Sequence, residues 1–236
     1  MSGFAKLVIY EDNHLLVVNK PAGVSTMGDE NRQTLHTLAG AYLKQKYQKP
    51  HGVYVGIVSR LDAMTSGVIV LARTSKAAAR LNVQFAQKSS SKHLEKTYLA
   101  IVQATNGVAA NLSDKGTLSD YLYKDDAAHR MRATAGPQDG AKLAELGYRA
   151  LHRSDSYQVM SVVPKTGRKH QIRVQFATRG WPILGDRKYG SPLQWSDGIA
   201  LHSQRLTIEH PTRREPMTFE CPPPESWNQY WRPASE

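Results

Sequence analysis

The apolar positions of this chain fall in short runs whose spacing switches between two periods. Leu7–Tyr10 and Leu15–Asn19 are brief apolar runs around the polar tetrapeptide Glu11-Asp12-Asn13-His14, a pattern that predicts a β-hairpin. From Leu35 the spacing becomes helical: Leu35, Leu38, Ala39, Tyr42 and Leu43 share one face, and Thr34 stands where an N-cap is needed. Val68-Ile69-Val70-Leu71-Ala72 has no polar alternation and is rich in β-branched residues, which predicts a strand buried on both faces. Ser75 is placed to cap a second helix that turns Leu81 and Phe85 inward. Thr97–Val102 and Tyr157–Val163 predict further strands, and Arg168–Thr178 predicts a helix ended by Gly180. The stretch 105–138 is rich in Asn, Asp, Gly and Ala, with a basic cluster at His129-Arg130-Met131-Arg132; it predicts loops and weak strands on the surface. Residues after Glu225 carry Trp and Pro but no pattern. These proportions predict an α+β fold: a mixed, mainly antiparallel central sheet with flanking helices and loops.

Charge narrows the partner. Lys and Arg number 31 against 20 Asp and Glu, a formal net charge of +11 that favours a polyanion such as nucleic acid. Cys221 is the single cysteine, so the chain can form no internal disulfide and no Cys-based zinc site. It stands where a strand runs into Pro222-Pro223 and is expected to be a buried, inert thiol. No apolar segment reaches the length of a bilayer span, and the N-terminus has no long apolar signal core. A monomer in a reducing cytoplasm, without membrane attachment, is the expectation. His170 and His202 lack partners at metal-ligand spacing, so no metal is expected.

The candidate chemistry centres on Arg60-Leu61-Asp62-Ala63-Met64-Thr65-Ser66-Gly67. A carboxylate at the lip of a buried strand is held rigidly and reaches a ligand that the strand's own side chains do not. Around it, in order, stand Asn19-Lys20-Pro21-Ala22-Gly23-Val24, Lys96-Thr97-Tyr98-Leu99-Ala100, Thr166-Gly167-Arg168-Lys169-His170-Gln171-Ile172-Arg173-Val174, Pro182–Gly190 and Leu201-His202-Ser203. These blocks resemble the RluA family of RNA pseudouridine synthases over residues 8–223, with 224–236 as a tail. Ser59, Ala63, Lys169 and Gln175 depart from the family pattern, while Asp62, Tyr98 and Arg173 match it.

The resemblance implies a single catalytic domain, residues 1–236, with no room before Lys20 for an S4-type RNA-binding domain. It implies isomerisation of uridines in tRNA, rRNA or both. The reaction breaks N1–C1′, makes C5–C1′ and moves one proton, so neither cofactor nor metal is required. Asp62 is the candidate for attack on C1′ or for removal of the C2′ proton. The resemblance sets Arg173 opposite Asp62 as the cation that keeps it ionised, and Tyr98 as a platform for uracil or a relay for the C5 proton. Arg60 would assist extrusion of the base or form a structural ion pair. Lys20 would meet phosphate or be a solvated loop charge, and Arg168, Lys169 and His170 are candidate RNA contacts. The alternatives are a non-catalytic RNA-binding protein on the same fold, and a nucleoside or glycoside hydrolase using Asp62.

Overall fold

The hairpin read around Glu11–His14 is present in the computed structural model of the chain, which describes residues 3–28, 33–86, 93–105 and 112–232. Strand β1 (Val8–Glu11) pairs antiparallel with β2 (Leu15–Lys20). Asp12 closes the turn, its Oδ1 accepting from the backbone N–H groups of His14 and Leu15 at 2.8 and 2.7 Å. The chain divides into two compact units, Met1–Lys96 with Ser203–Pro222, and Thr97–His202 with Pro223–Glu236.

In the first unit, helix α1 (Leu35–Lys46) starts where its cap predicts. Thr34 and Thr37 exchange side-chain and backbone hydrogen bonds in a capping box, and Leu35, Ala39 and Leu43 are buried at helical spacing. Strand β3 (Gly56–Ile57) and β2 both pair antiparallel with β4 (Ser66–Ala72), and every residue of β4 is buried. This explains the uninterrupted apolar run: no face of that strand meets water. Helix α2 (Ser75–Ala86) covers one face of this sheet, packing Ala77, Ala78 and Leu81 on Leu15, Val17, Val68 and Val70. Its cap is Thr74, whose hydroxyl accepts from Ala77 N at 3.1 Å, and Ser75 is the first helical residue.

The second unit carries β5 (Glu95–Val102), β6 (Lys115–Asp125), β7 (Arg130–Thr134), β8 (Lys142–Arg153) and β9 (Gln158–Pro164), in the order β5-β9-β8-β6-β7. All four of these pairings are antiparallel. Within 105–138 the structure corrects the expectation of loops and weak strands, because β6 is eleven residues long; residues 106–111 lie outside the described ones. Its inward positions are Leu118, Asp120 and Leu122. A carboxylate at the middle of that face hides the period-two pattern. Asp120 is buried there because Gln175 donates to it at 2.8 Å and Arg179 grips it with two N–H groups at 2.9 and 3.2 Å.

Helix α3 (Gln171–Ala177) begins later than the pattern predicts. His170 has φ 54°, in the left-handed region, and cannot continue a right-handed helix toward Arg168. Residues 166–170 instead wrap the Gln171 side chain, whose Oε1 accepts from the Thr166 hydroxyl at 2.7 Å and Arg168 N at 3.0 Å. In the remainder of the chain, β10 (Leu201–Glu209) pairs antiparallel with β11 (Pro216–Glu220). The tail forms a short 3-10 turn, Glu225–Gln229, that buries Trp227 against Trp195 and His202. The secondary structure is α+β, as the pattern predicts.

Candidate active site

Asp62 lies in the loop between β3 and β4, and the loop is tied down on both sides of it. The buried Thr26 hydroxyl donates to Leu61 O at 2.9 Å and accepts from Leu61 N at 3.2 Å. Gly23 N donates to Ala63 O, and Thr65 N closes the turn on Asp62 O at 3.0 Å. At the strand's start Gly67 has φ +113°, and a Cβ there would overlap the Ser203 backbone. Only glycine permits β10 to approach so closely beside the Asp62 turn.

Lys20 overturns its expected place at phosphate. It is fully buried at the end of β2. Its ammonium donates to three carbonyls: Pro21 O at 2.9 Å, Val24 O at 2.8 Å and Ala63 O at 3.1 Å. Those bonds use all three N–H donors, and none is left for RNA. Burial pushes its pKa down to about 8, partly opposed by the negative charge of Asp62. Lys20 is therefore an internal cation that binds the Pro21–Val24 turn to the Asp62–Ala63 turn. Arg60, two residues before Asp62, is exposed, as its expected contact with RNA requires.

In the second unit Tyr98 is buried in β5, opposite Val162 of β9. Arg173 is buried in α3, with Nε and one Nη held by Asp186 at 2.6 and 2.9 Å. This side-on fork fixes the guanidinium plane. The guanidinium carbon lies over the Tyr189 ring, 5.0 Å from the ring centre. Tyr189 Oη in turn is 2.7 Å from His170 Nδ1 and accepts from Met131 N at 3.1 Å. Arg168 and Lys169 are exposed, the former donating to Leu143 O at 2.9 Å. Asp186, Tyr189 and Thr26 escaped the reading of the sequence, although Asp186 and Tyr189 both stand in the Pro182–Gly190 block. Among the described residues no three His, Cys, Asp or Glu side chains gather as a metal site, and no helix is long and apolar enough to cross a membrane.

A family model described as RNA pseudouridylate synthase matches residues 14–178, the stretch that holds Asp62, Tyr98 and Arg173. The chain belongs to the RNA pseudouridylate synthase family. The Dual-specificity RNA pseudouridine synthase RluA of Escherichia coli (strain K12) is 32% identical over 222 residues, 92% of each chain. The Uncharacterized RNA pseudouridine synthase YhcT of Bacillus subtilis (strain 168) is 32% identical over 217 residues, 92% of this chain and 68% of that one. In fold, the chain matches Human RNA Pseudouridylate Synthase Domain Containing 4 with a TM-score of 0.76 at 22% identity, covering 96% of this chain and 93% of the other. The protein is thus an RNA-modifying isomerase, and RNA is its macromolecular partner.

Proposed function

We propose that this pseudouridine synthase isomerises uridines in structured RNA, in tRNA, rRNA or both, and that Asp62 carries the reaction. The description of the Escherichia coli relative as dual-specificity supports a range wider than one RNA. The observation that carries the assignment of Asp62 is the triple anchoring of its turn, by Thr26, Gly23 and Lys20, in a loop that otherwise has no need of such rigidity.

A carboxylate fixed in this way can act on C1′ of an extruded nucleotide by either of two routes. Direct attack displaces uracil through N1 and leaves an ester at C1′, which C5 of the rotated base then displaces. Removal of the C2′ proton gives an unsaturated sugar, to which C5 adds as the proton returns. In both, the C5 hydrogen leaves and N1 gains one, so atoms and electrons balance without a cofactor. Tyr98 is assigned a face for uracil or a relay for the C5 proton, and Arg173 the role of a cation of the site. These two roles rest on the family resemblance. Arg60 assists extrusion of the base, and Arg168, Lys169 and His170 hold the RNA backbone.

The test is Asp62→Ala on a short RNA stem-loop under single-turnover conditions. Pseudouridine formation should be abolished while the RNA still binds and the thermal melt stays cooperative. Turnover by the folded variant would refute the assignment.

A further inference from the structure

Three basic segments that are far apart in sequence meet at one hydroxyl. Tyr189 Oη accepts from the backbone of Met131 and is bonded to His170 Nδ1. This gathers His129–Arg132 at the turn into β7, Arg168–His170 before α3, and the 3-10 turn Arg187–Tyr189. Apolar packing underlies the junction: Met131, Ala133 and Tyr189 sit on Leu122, Ala144 and Val174. The carboxylates nearby are already committed. Asp125 pairs with Arg132 at 2.5 Å, Asp126 with Lys124, and Asp186 with Arg173. Among the described residues Arg168, Lys169, Arg187 and Lys188 form no ion pair and are exposed, while the half-buried Arg130 stands across the hairpin from Asp125 and acts on its charge without a direct ion pair.

Holding five cations together in this way costs stability through self-repulsion. The fold accepts the cost at one place and secures it with the Tyr189 hydrogen bonds. Such a face gains most from a ligand that carries regularly spaced negative charge. We propose that the three segments form one phosphate-binding face for the RNA substrate, assembled by the Tyr189 hydroxyl, with Arg130, Arg187 and Lys188 as contacts beyond those read from the sequence. The proposal rests on structured RNA being the substrate.

The test compares four proteins on a fluorescent RNA stem-loop with a uridine in its loop, titrated across a series of KCl concentrations. They are the wild type, the triple variant Arg130→Gln/Arg187→Gln/Lys188→Gln, the equally discharged control Lys6→Gln/Lys44→Gln/Lys76→Gln, and Tyr189→Phe, each shown to be folded by its thermal melt. The triple variant should lower the slope of log affinity against log salt by about 2–3, and weaken binding at least about tenfold, because each of the three lost phosphate contacts removes about 0.7–0.9 of slope. The control should change the slope by less than about 1. Tyr189→Phe keeps every charge and the ring but loses the junction, so its affinity should fall with the slope nearly preserved. A triple variant indistinguishable from the control would overturn the face, and wild-type affinity in Tyr189→Phe would overturn the organising role of the hydroxyl. If the wild type fails to bind the stem-loop, the reading of structured RNA as the substrate falls instead.

Discussion

Replacing Lys20 by Met keeps the length of the side chain and removes the cation that ties two turns together. Each of its three bonds joins a charged donor to a carbonyl, and such bonds are worth ~1.5–3 kcal/mol. Against them stands the cost of burying the charge. A fall in pKa from 10.5 to about 8 corresponds to about 3.4 kcal/mol. The difference, about 1–6 kcal/mol, leaves the wild type more stable than Lys20→Met at pH 7. The pH dependence is more diagnostic. The folded-state pKa lies below the unfolded one, so between pH 8 and 10.5 the unfolded chain binds more protons. Wild-type stability must then rise with pH through that window, and the Met variant lacks this contribution. Other groups titrate alike in both proteins, so the stability gap should widen by about 2 kcal/mol from pH 7 to pH 9.5. Urea unfolding of both proteins at the two pH values measures it, with pseudouridine formation followed in parallel. Activity of the Met variant should fall even where it is fully folded, because the Asp62 turn has lost its tie to Pro21–Val24. A gap that stays constant or narrows with pH would refute the picture of Lys20 as a buried cation.

Arg173→Met leaves Asp186 as a buried carboxylate without its fork, so it should cost ~3–5 kcal/mol in urea unfolding, and Arg173→Lys should cost less. A variant as stable as the wild type would show that the Asp186 fork is not structural. Asp12 is pushed up by burial, but the backbone N–H groups of His14 and Leu15, with His210 and Tyr10, outweigh this and hold it at about 2. Its contribution to stability is present above the ordinary pKa of 3.8 and is lost as pH falls through about 2; acid unfolding of Asp12→Asn should lack that loss.

Most of the fold was legible because local rules and tertiary packing agree. Thr34 caps a helix whose apolar face the protein buries, and Val68–Ala72 is apolar throughout because both of its faces are covered. Legibility failed where a polar residue occupies an inward position. Asp120 interrupts the alternation of β6, and what makes it tolerable there, Gln175 and Arg179, lies more than fifty residues away. The start of α3 was misplaced for a different reason. Residues 168–170 have ordinary helix-forming side chains, and only the tertiary bonds of Gln171 to Thr166 and Arg168 reveal that the backbone turns the other way.

The same distinction separates the parts of the candidate site. The turn that carries Asp62 was legible because its features are local: one carboxylate, a tight turn and a buried strand beside it. Lys20 was not, since a lysine before proline has the appearance of a surface loop charge. Its true surroundings are the carbonyls of Pro21, Val24 and Ala63, which only the folded chain brings together. Asp186 was missed by the same logic, because a carboxylate in a turn discloses nothing of the arginine thirteen residues earlier that it grips. Residues that meet substrate are recognised by type and motif. Residues that position them are recognised by their partners, and partners are a property of the fold. Lys20, Thr26 and Asp186 are of the second kind, so variants at these positions should be scored first for stability and then for rate.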